Sequence, residues 1–245
     1  PDPRLIEALA GDDEPPLLLP YQVELAHWIA SYYSAPLPEV VRAMIPPGIR
    51  SIKVGSKRRR GPRVESRDRT LSGEPRTSRS GPFTTAQLNA VEAIREALEA
   101  GRGRILLHGV TGSGKTEVYL EAIEDCLAAG RGVIVLIPEI ALTPQTISRF
   151  AERFSGRIAV LHSLLTPSEK AVEWRRLRSG EATVAIGPRA AIFAPIANLG
   201  LVVVDSLQLM TSTGRAENRQ VEVAQFSRGL KLLAKDLDVP VLVAA

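Results

Sequence analysis

The chain has 245 residues, 44% of them hydrophobic, a single cysteine and a formal net charge of +4. That length suits one large α/β domain with a small appendage, and the apolar content is ordinary for a buried core. One thiol excludes an internal disulfide and any cysteine-cluster zinc site, and no run approaches the ~20 apolar residues of a membrane span. The first residues, Pro1-Asp2-Pro3-Arg4, lack a Met, a basic n-region and an apolar h-region. No signal peptide is therefore expected, the start reads as an internal cut, and the expected location is the cytoplasm, away from membranes.

Residues 1–50 read as a small helical unit. Leu25, Trp28, Ile29 and Tyr32 fall at i, i+3, i+4 and i+7, the stripe of an amphipathic helix. A second short helix is expected from Pro38 to Met44. Trp28, Tyr32 and Tyr33 could stack on bases, or cover an apolar face packed on another domain.

Residues 51–81 are different in kind. Between Lys53 and Arg79 there are ten basic residues against three acids, a local charge of +7 that leaves −3 for the rest. The stretch is poor in apolar residues and rich in Ser, Gly and Pro, so it reads as a disordered basic linker. Its charge would attract nucleic-acid phosphates without sequence preference; a plain solubilising linker has the same composition.

From residue 82 to 245 the pattern becomes regular βα alternation. Helices are expected at 85–99, 117–127, 144–154, 167–179 and 217–236. Strands are expected at 104–108, 133–137, 157–161, 182–186, 201–205 and 239–244. Such alternation predicts a parallel, doubly wound sheet covered on both faces, with ligands at the carboxyl ends of its strands. Cys126 sits on the apolar side of one of these helices and reads as a small core residue. In the tail, Val223, Phe226, Leu230, Leu233 and Leu237 form a 3-4-3-4 stripe that could cover a sheet face, and Val239 to Val243 supplies one more buried strand.

The most specific motif is Gly109-Val110-Thr111-Gly112-Ser113-Gly114-Lys115-Thr116. It matches G-x-x-x-x-G-K-[ST], follows the apolar run Ile105-Leu106-Leu107 and opens a helical stretch, which is the setting a phosphate-binding loop requires. Gly109, Gly112, Ser113 and Gly114 let backbone N–H groups turn towards an anion at a helix N-terminus. Lys115 is expected at the β/γ-phosphates of ATP, and Thr116 at Mg²⁺. A second element, Leu201-Val202-Val203-Val204-Asp205, delivers one carboxylate to a strand end, where it would help hold Mg²⁺. A third is Thr84-Thr85-Ala86-Gln87, in which a Thr caps a helix and Gln87 could hydrogen-bond a purine edge.

Longer words carry a resemblance. HGVTGSGKTEVYL at 108–120, VLIPEIALTPQ at 135–145, VLHS at 160–163 and EWRRLRSGEATVAIGPRAAIFAPIANLGLVVVD at 173–205 resemble the PriA family of bacterial replication-restart helicases. The stretch from about residue 17 resembles that family's region just after its first DNA-binding domain, so residues 1–50 are expected to be a remnant of the DNA-binding region. The resemblance implies a RecA-like lobe of a superfamily-2 DNA helicase that moves 3′ to 5′. It implies ATP, Mg²⁺, forked or single-stranded DNA and other primosome proteins as ligands and partners. It assigns Gly112, Gly114, Lys115 and Thr116 to phosphate and metal, Gln87 to adenine and Asp205 to metal. It also sets Pro138-Glu139-Ile140 and Gly187-Pro188-Arg189 on the DNA-facing side.

Two departures stand out. Where the family has Asp-Glu-Glu-His, this chain has Asp205-Ser206-Leu207-Gln208, and a serine cannot serve as general base at neutral pH. The family's Gly-Thr-Arg-Ser is here Gly187-Pro188-Arg189-Ala190. From 202 to 243 the tail resembles instead the core of the DnaB family of hexameric replicative helicases, in which the leading Asp also closes the metal strand. Glu139, following a strand, could stand in for a catalytic glutamate. The expected function is therefore a PriA-like ATP-dependent helicase, present as an ATP- and DNA-binding piece with slow turnover. The alternatives are a non-catalytic ATP/DNA-binding module and a DnaB-like hexameric motor domain.

Overall fold

The computed structural model describes residues 17–47, 49, 82–206, 227–231, 234–235 and 239–245. The basic segment 51–81 and most of the 217–236 helix lie outside the described residues, as do Val223, Phe226, Leu233 and Leu237 of the tail stripe.

Two helices come first, α1 (Pro20–Tyr32) and α2 (Leu37–Met44). The alternating part then runs α3 (Thr85–Glu99), β1 (Arg104–Leu107), α4 (Lys115–Ala128), β2 (Gly132–Leu136), α5 (Pro144–Arg153), β3 (Ile158–Val160), α6 (Pro167–Arg178) and β4 (Val184–Gly187). A 3₁₀ turn (Arg189–Phe193), β5 (Leu199–Asp205) and β6 (Val241–Ala244) complete it. Three of the helices, α3, α5 and α6, begin where a side chain satisfies one of their first N–H groups. Thr84, Thr143 and Thr166 each accept from the backbone N–H three residues on. At α6, Glu169 accepts in return from the Thr166 N–H, a reciprocal cap that holds its carboxyl below the usual range.

The six strands form one parallel sheet in the order β1-β6-β5-β2-β4-β3. Side chains alternate between its faces, and each face has its own core. Val133, Val135, Ile137, Leu201, Val203 and Leu242 pack under α3, α4 and α5. Ile134, Leu136, Val202, Val204 and Val241 pack on the opposite side with Leu177, Ala191 and Ile196. Cys126 is in the first core, fully buried, and burial pushes its thiol up to about 11.

The tail completes the sheet as its pattern suggests. β6 inserts between β1 and β5, pairing with both, so without it β1 would have no neighbour among the described strands. Leu230 packs on the second core and Ala234 is buried there.

The N-terminal helices are seated on the lobe. Leu25, Ala26, Val40 and Met44 form a third cluster, and Phe193 of the 3₁₀ turn packs against it. Tyr32 and Tyr33 are left exposed, with Trp28 stacked on Tyr32 at a ring separation of 5.0 Å. The expected stripe therefore divides: Leu25 is buried, whereas Tyr32 faces solvent.

Candidate functional site

The register of the sheet brings the two nucleotide-type elements to one edge. Leu107, Ala244 and Asp205 stand in a row across β1, β6 and β5. Asp205 therefore ends its strand two inter-strand spacings, about 10 Å, from the end of β1. The loop that leaves β1 is anchored on β6, because Gly109 N–H donates to the Ala245 carbonyl at 3.2 Å.

Within the loop the backbone requires glycine twice. Gly112 has φ 80° and Gly114 φ 81°, both left-handed. At Gly114 there is a second reason, since the Gln87 amide occupies the space a Cβ would take. Ser113 N–H donates to the Val110 carbonyl at 3.1 Å, closing a turn around the centre of the loop. Lys115 folds over this turn, its ammonium donating to the carbonyls of Gly109 and Val110. An anion entering the loop would meet a cation already held there, at the start of a 14-residue helix whose leading N–H groups have no intrahelical acceptor.

Gln87 is tied into the same loop. Its Oε1 accepts from the Thr84 N–H at 2.9 Å and its Nε2 donates to the Ser113 carbonyl at 3.0 Å. The side chain expected at a purine edge thus joins α3 to the phosphate loop.

Asp205 has a partner that its motif does not reveal. The buried Tyr119 hydroxyl donates to Asp205 Oδ2 at 2.7 Å and is also hydrogen-bonded to the Thr116 side chain. Burial first, and then the Asp205 carboxylate, push the Tyr119 phenol far above its ordinary range. A hydroxyl, a phenol and a carboxylate thereby form one connected group beside the loop. The sequence marks Tyr119 only as an apolar helical position; its spacing of three from Thr116, which puts both on one helical face, was the available signal. This donor set fits Mg²⁺, which takes one or two carboxylates together with phosphate oxygens and waters. Among the described residues no group of three or more His, Cys, Asp or Glu could cage a metal.

Glu139 lies beyond the end of β2, the neighbour of β5, and is exposed. Among the described residues, no hydrogen bond or ion pair ties its carboxylate to the loop or to Asp205. Arg189 opens the 3₁₀ turn beyond β4 and is exposed, as is Ile140. These two share the carboxyl edge with the phosphate loop.

Behind the loop, charge locks the helices together. Glu117, Glu121 and Glu124 recur along one face of α4 and converge on Arg153 of α5, at 3.3, 2.9 and 2.8 Å. The Arg153 side chain is only 9% exposed. Glu121 also meets Arg95 of α3 at 3.6 Å, and Arg95 pairs with Asp125 at 2.8 Å. At Arg95 the hydrogen bond it donates to Asp125 is the largest cause of a raised value. At Arg153 burial acts downward most strongly, but its hydrogen bond to Glu124 and the attraction of the three carboxylates together outweigh it and raise that group too.

Comparison with known proteins fits this geometry. The family model described as DEAD/DEAH box helicase matches residues 84–235, more than half of the chain. A second model, described as the 3'DNA-binding domain (3'BD), matches residues 3–46. From the sequence this stretch is expected just after such a domain; the match takes it in. Replication restart protein PriA of Bacillus subtilis (strain 168) is 51% identical over 125 residues, covering 51% of this chain and 16% of that protein. The protein of the same name from Treponema pallidum (strain Nichols) is 40% identical over 186 residues, covering 74% of this chain and 25% of that protein. The chain thus spans between a sixth and a quarter of the length of these relatives. A structure of RecG bound to a three-way DNA junction is 32% identical, with TM-score 0.49, covering 67% of this chain and 21% of that one. The resemblance of the tail to DnaB gains no support, because the DEAD/DEAH model runs through the same residues to 235. Among the described residues, no helix is long and apolar enough to cross a membrane.

Proposed function

We propose that the chain, which belongs to the DEAD/DEAH box helicase family, is the nucleotide-binding lobe of a PriA-type replication-restart DNA helicase. Gly109, Gly112, Ser113, Gly114 and Lys115 bind the phosphates of ATP. Thr116 and Asp205 hold Mg²⁺, and Gln87 fixes the loop from the adenine side. When bound, Mg²⁺ neutralises charge developing on the transferred phosphoryl group. DNA runs along the carboxyl edge past Ile140 and Arg189, bound through its backbone and without sequence preference, and other primosome proteins bind the assembled helicase.

The observation that supports this best is the Lys115–Thr116–Tyr119–Asp205 arrangement, in which loop lysine, loop hydroxyl and strand carboxylate share one edge. Turnover in this chain is slow. Ser206 follows Asp205 where a glutamate would orient water, a role worth on the order of 10²–10⁴ in rate. Glu139 is the one candidate substitute, and its exposure beyond β2 speaks against it.

Titration of a fluorescent ATP analogue with Mg²⁺ tests the reading. Lys115→Ala should weaken binding by on the order of a hundredfold, as expected for losing hydrogen bonds to a charged group, while the melting temperature is retained. Equal affinity in a folded variant would sink the assignment. Phosphate release from the parent chain at an ordinary enzymatic rate, about one per second or more, would instead implicate Glu139.

A further inference from the structure

The N-terminal helices and the lobe are joined by a built clamp that the nucleotide site does not use. Tyr21, at the start of α1, donates its hydroxyl to the Ala194 carbonyl at 2.6 Å and accepts from the Ile196 N–H at 3.2 Å. Next to it, Gln22 is fully buried. Its Nε2 donates to the Phe193 carbonyl at 2.8 Å, and its Oε1 accepts from the Leu19 N–H at 2.8 Å. Each polar atom of this pair has a partner, as buried polar groups require. A third fastener lies at the other end of the segment, where the Arg175 guanidinium donates to the Ile49 carbonyl at 2.7 Å. Phe193 fills the space between α1 and α2.

The target of the clamp is specific. Residues 193–196 are the exit of the 3₁₀ turn that begins at Arg189, and the main-chain groups gripped are those that end it. Ala191 inside the turn and Ala194 just after it are fully buried, while Arg189 at its start is exposed. The turn is too short to define its own position through 3₁₀ hydrogen bonds, which are few and poorly aligned. External fastening supplies what those bonds do not.

We propose that Tyr21 and Gln22 are positioning residues for DNA. Lying in the segment matched by the 3'DNA-binding domain model, they hold the turn that presents Arg189 at the carboxyl edge, so that this segment and the helicase lobe meet the strand as one unit. This rests on the DNA-facing reading of that edge proposed above. Tyr21 and Gln22 act through backbone groups of the turn and need not touch DNA themselves.

The test is a double-mutant cycle, read by anisotropy of fluorescein-labelled oligothymidylate bound to the 245-residue chain. The clamp variant, Tyr21→Phe with Gln22→Leu, keeps the apolar bulk and removes the four hydrogen bonds. It should weaken DNA binding by on the order of tenfold, within the range of site-to-site coupling, and leave the affinity for the fluorescent ATP analogue unchanged. Arg189→Ala should weaken DNA binding comparably. Combining all three substitutions should add nothing further, because the clamp acts only through the turn. A merely structural clamp gives additive losses, or lowers nucleotide affinity in parallel, and either outcome overturns the inference alone. Parental DNA binding by the clamp variant does so too. Parental DNA binding by Arg189→Ala would sink the DNA-facing reading and the inference with it. Should the combined clamp variant fail to fold, Tyr21→Phe alone carries the same cycle.

Discussion

Two seams hold helices to this lobe, and they are made of opposite materials. Behind the phosphate loop, α4 is bound to α5 and α3 by ionised groups: Arg153 among Glu117, Glu121 and Glu124, with Arg95 sharing Glu121. On the other side of the sheet, α1 meets the 3₁₀ turn through a phenol and an amide, both aimed at main-chain groups, and through Phe193. Charge is expensive to bury, so the first seam holds only while every partner is present. The second asks little of each bond and depends on shape. The charged seam supports the helix that opens at the proposed phosphate loop; the neutral one joins parts that are far apart in the chain.

The sharpest way to break the contrast is to remove the buried cation. Arg153→Ala leaves three carboxylates crowded without their partner and should destabilise the lobe by about 3 kcal/mol, the scale for breaking a buried ion pair. Thermal or urea unfolding measures this. The deficit should narrow as added salt screens the crowded carboxylates; a deficit that salt does not change would mean that packing, not charge, was lost.

Tyr21→Phe is the matching cut in the neutral seam. It removes one of the two donors to the Ala194 carbonyl and one of the two acceptors of the Ile196 N–H, which keep their bond to each other, a cost of about 1 kcal/mol. Unfolding curves should show this loss to be independent of salt, unlike that of Arg153→Ala. A salt-dependent loss would erase the distinction between the seams.

The smallest effect reads the core that both seams enclose. Burial raises the Cys126 thiol from its ordinary 9.0 to about 11. A raised folded value means that stability is fully present below pH 9 and lost as pH climbs towards 11, because only the unfolded chain releases the proton early. Between pH 9 and 10 the loss is about 1 kcal/mol. Tyr21 and Tyr119, whose ordinary value is 10.0, add smaller alkaline losses that begin inside that window and grow above it. Cys126→Ala should flatten the slope between pH 9 and 10; an unchanged slope would mean that another group is responsible.

The strands were legible because a sheet buried on both faces leaves continuous apolar runs such as Val133 to Ile137 and Leu201 to Val204, and the phosphate loop was legible because its spacing is rigid. The ends differ from expectation by only one or two residues, as at β4, which begins at Val184 and runs to Gly187. What stayed hidden were contacts whose acceptors carry no side-chain signature. Nothing in Tyr21 or Gln22 says that their partners are carbonyls more than 170 residues away. Tyr119 reads as an apolar helical residue until the sheet register puts Asp205 beside it. Gln87 and Glu139 show the limit from the other side: motif position named both, but the first is engaged with the loop and the second stands in solvent.

The place of β6 has a consequence for how the protein is made. Arg104 pairs with Val241, so the strand that launches the phosphate loop finds its neighbour only after 137 further residues have been synthesised. Until then β1 has no neighbour among the described strands and β5 presents an open hydrogen-bonding edge, the arrangement that invites pairing with other chains. Closure of such long-range parallel contacts is slow. The nascent chain therefore carries its most hazardous surface one strand in from the edge of the future sheet, and the proposed nucleotide site is assembled last, by a strand that contributes no ligand to it.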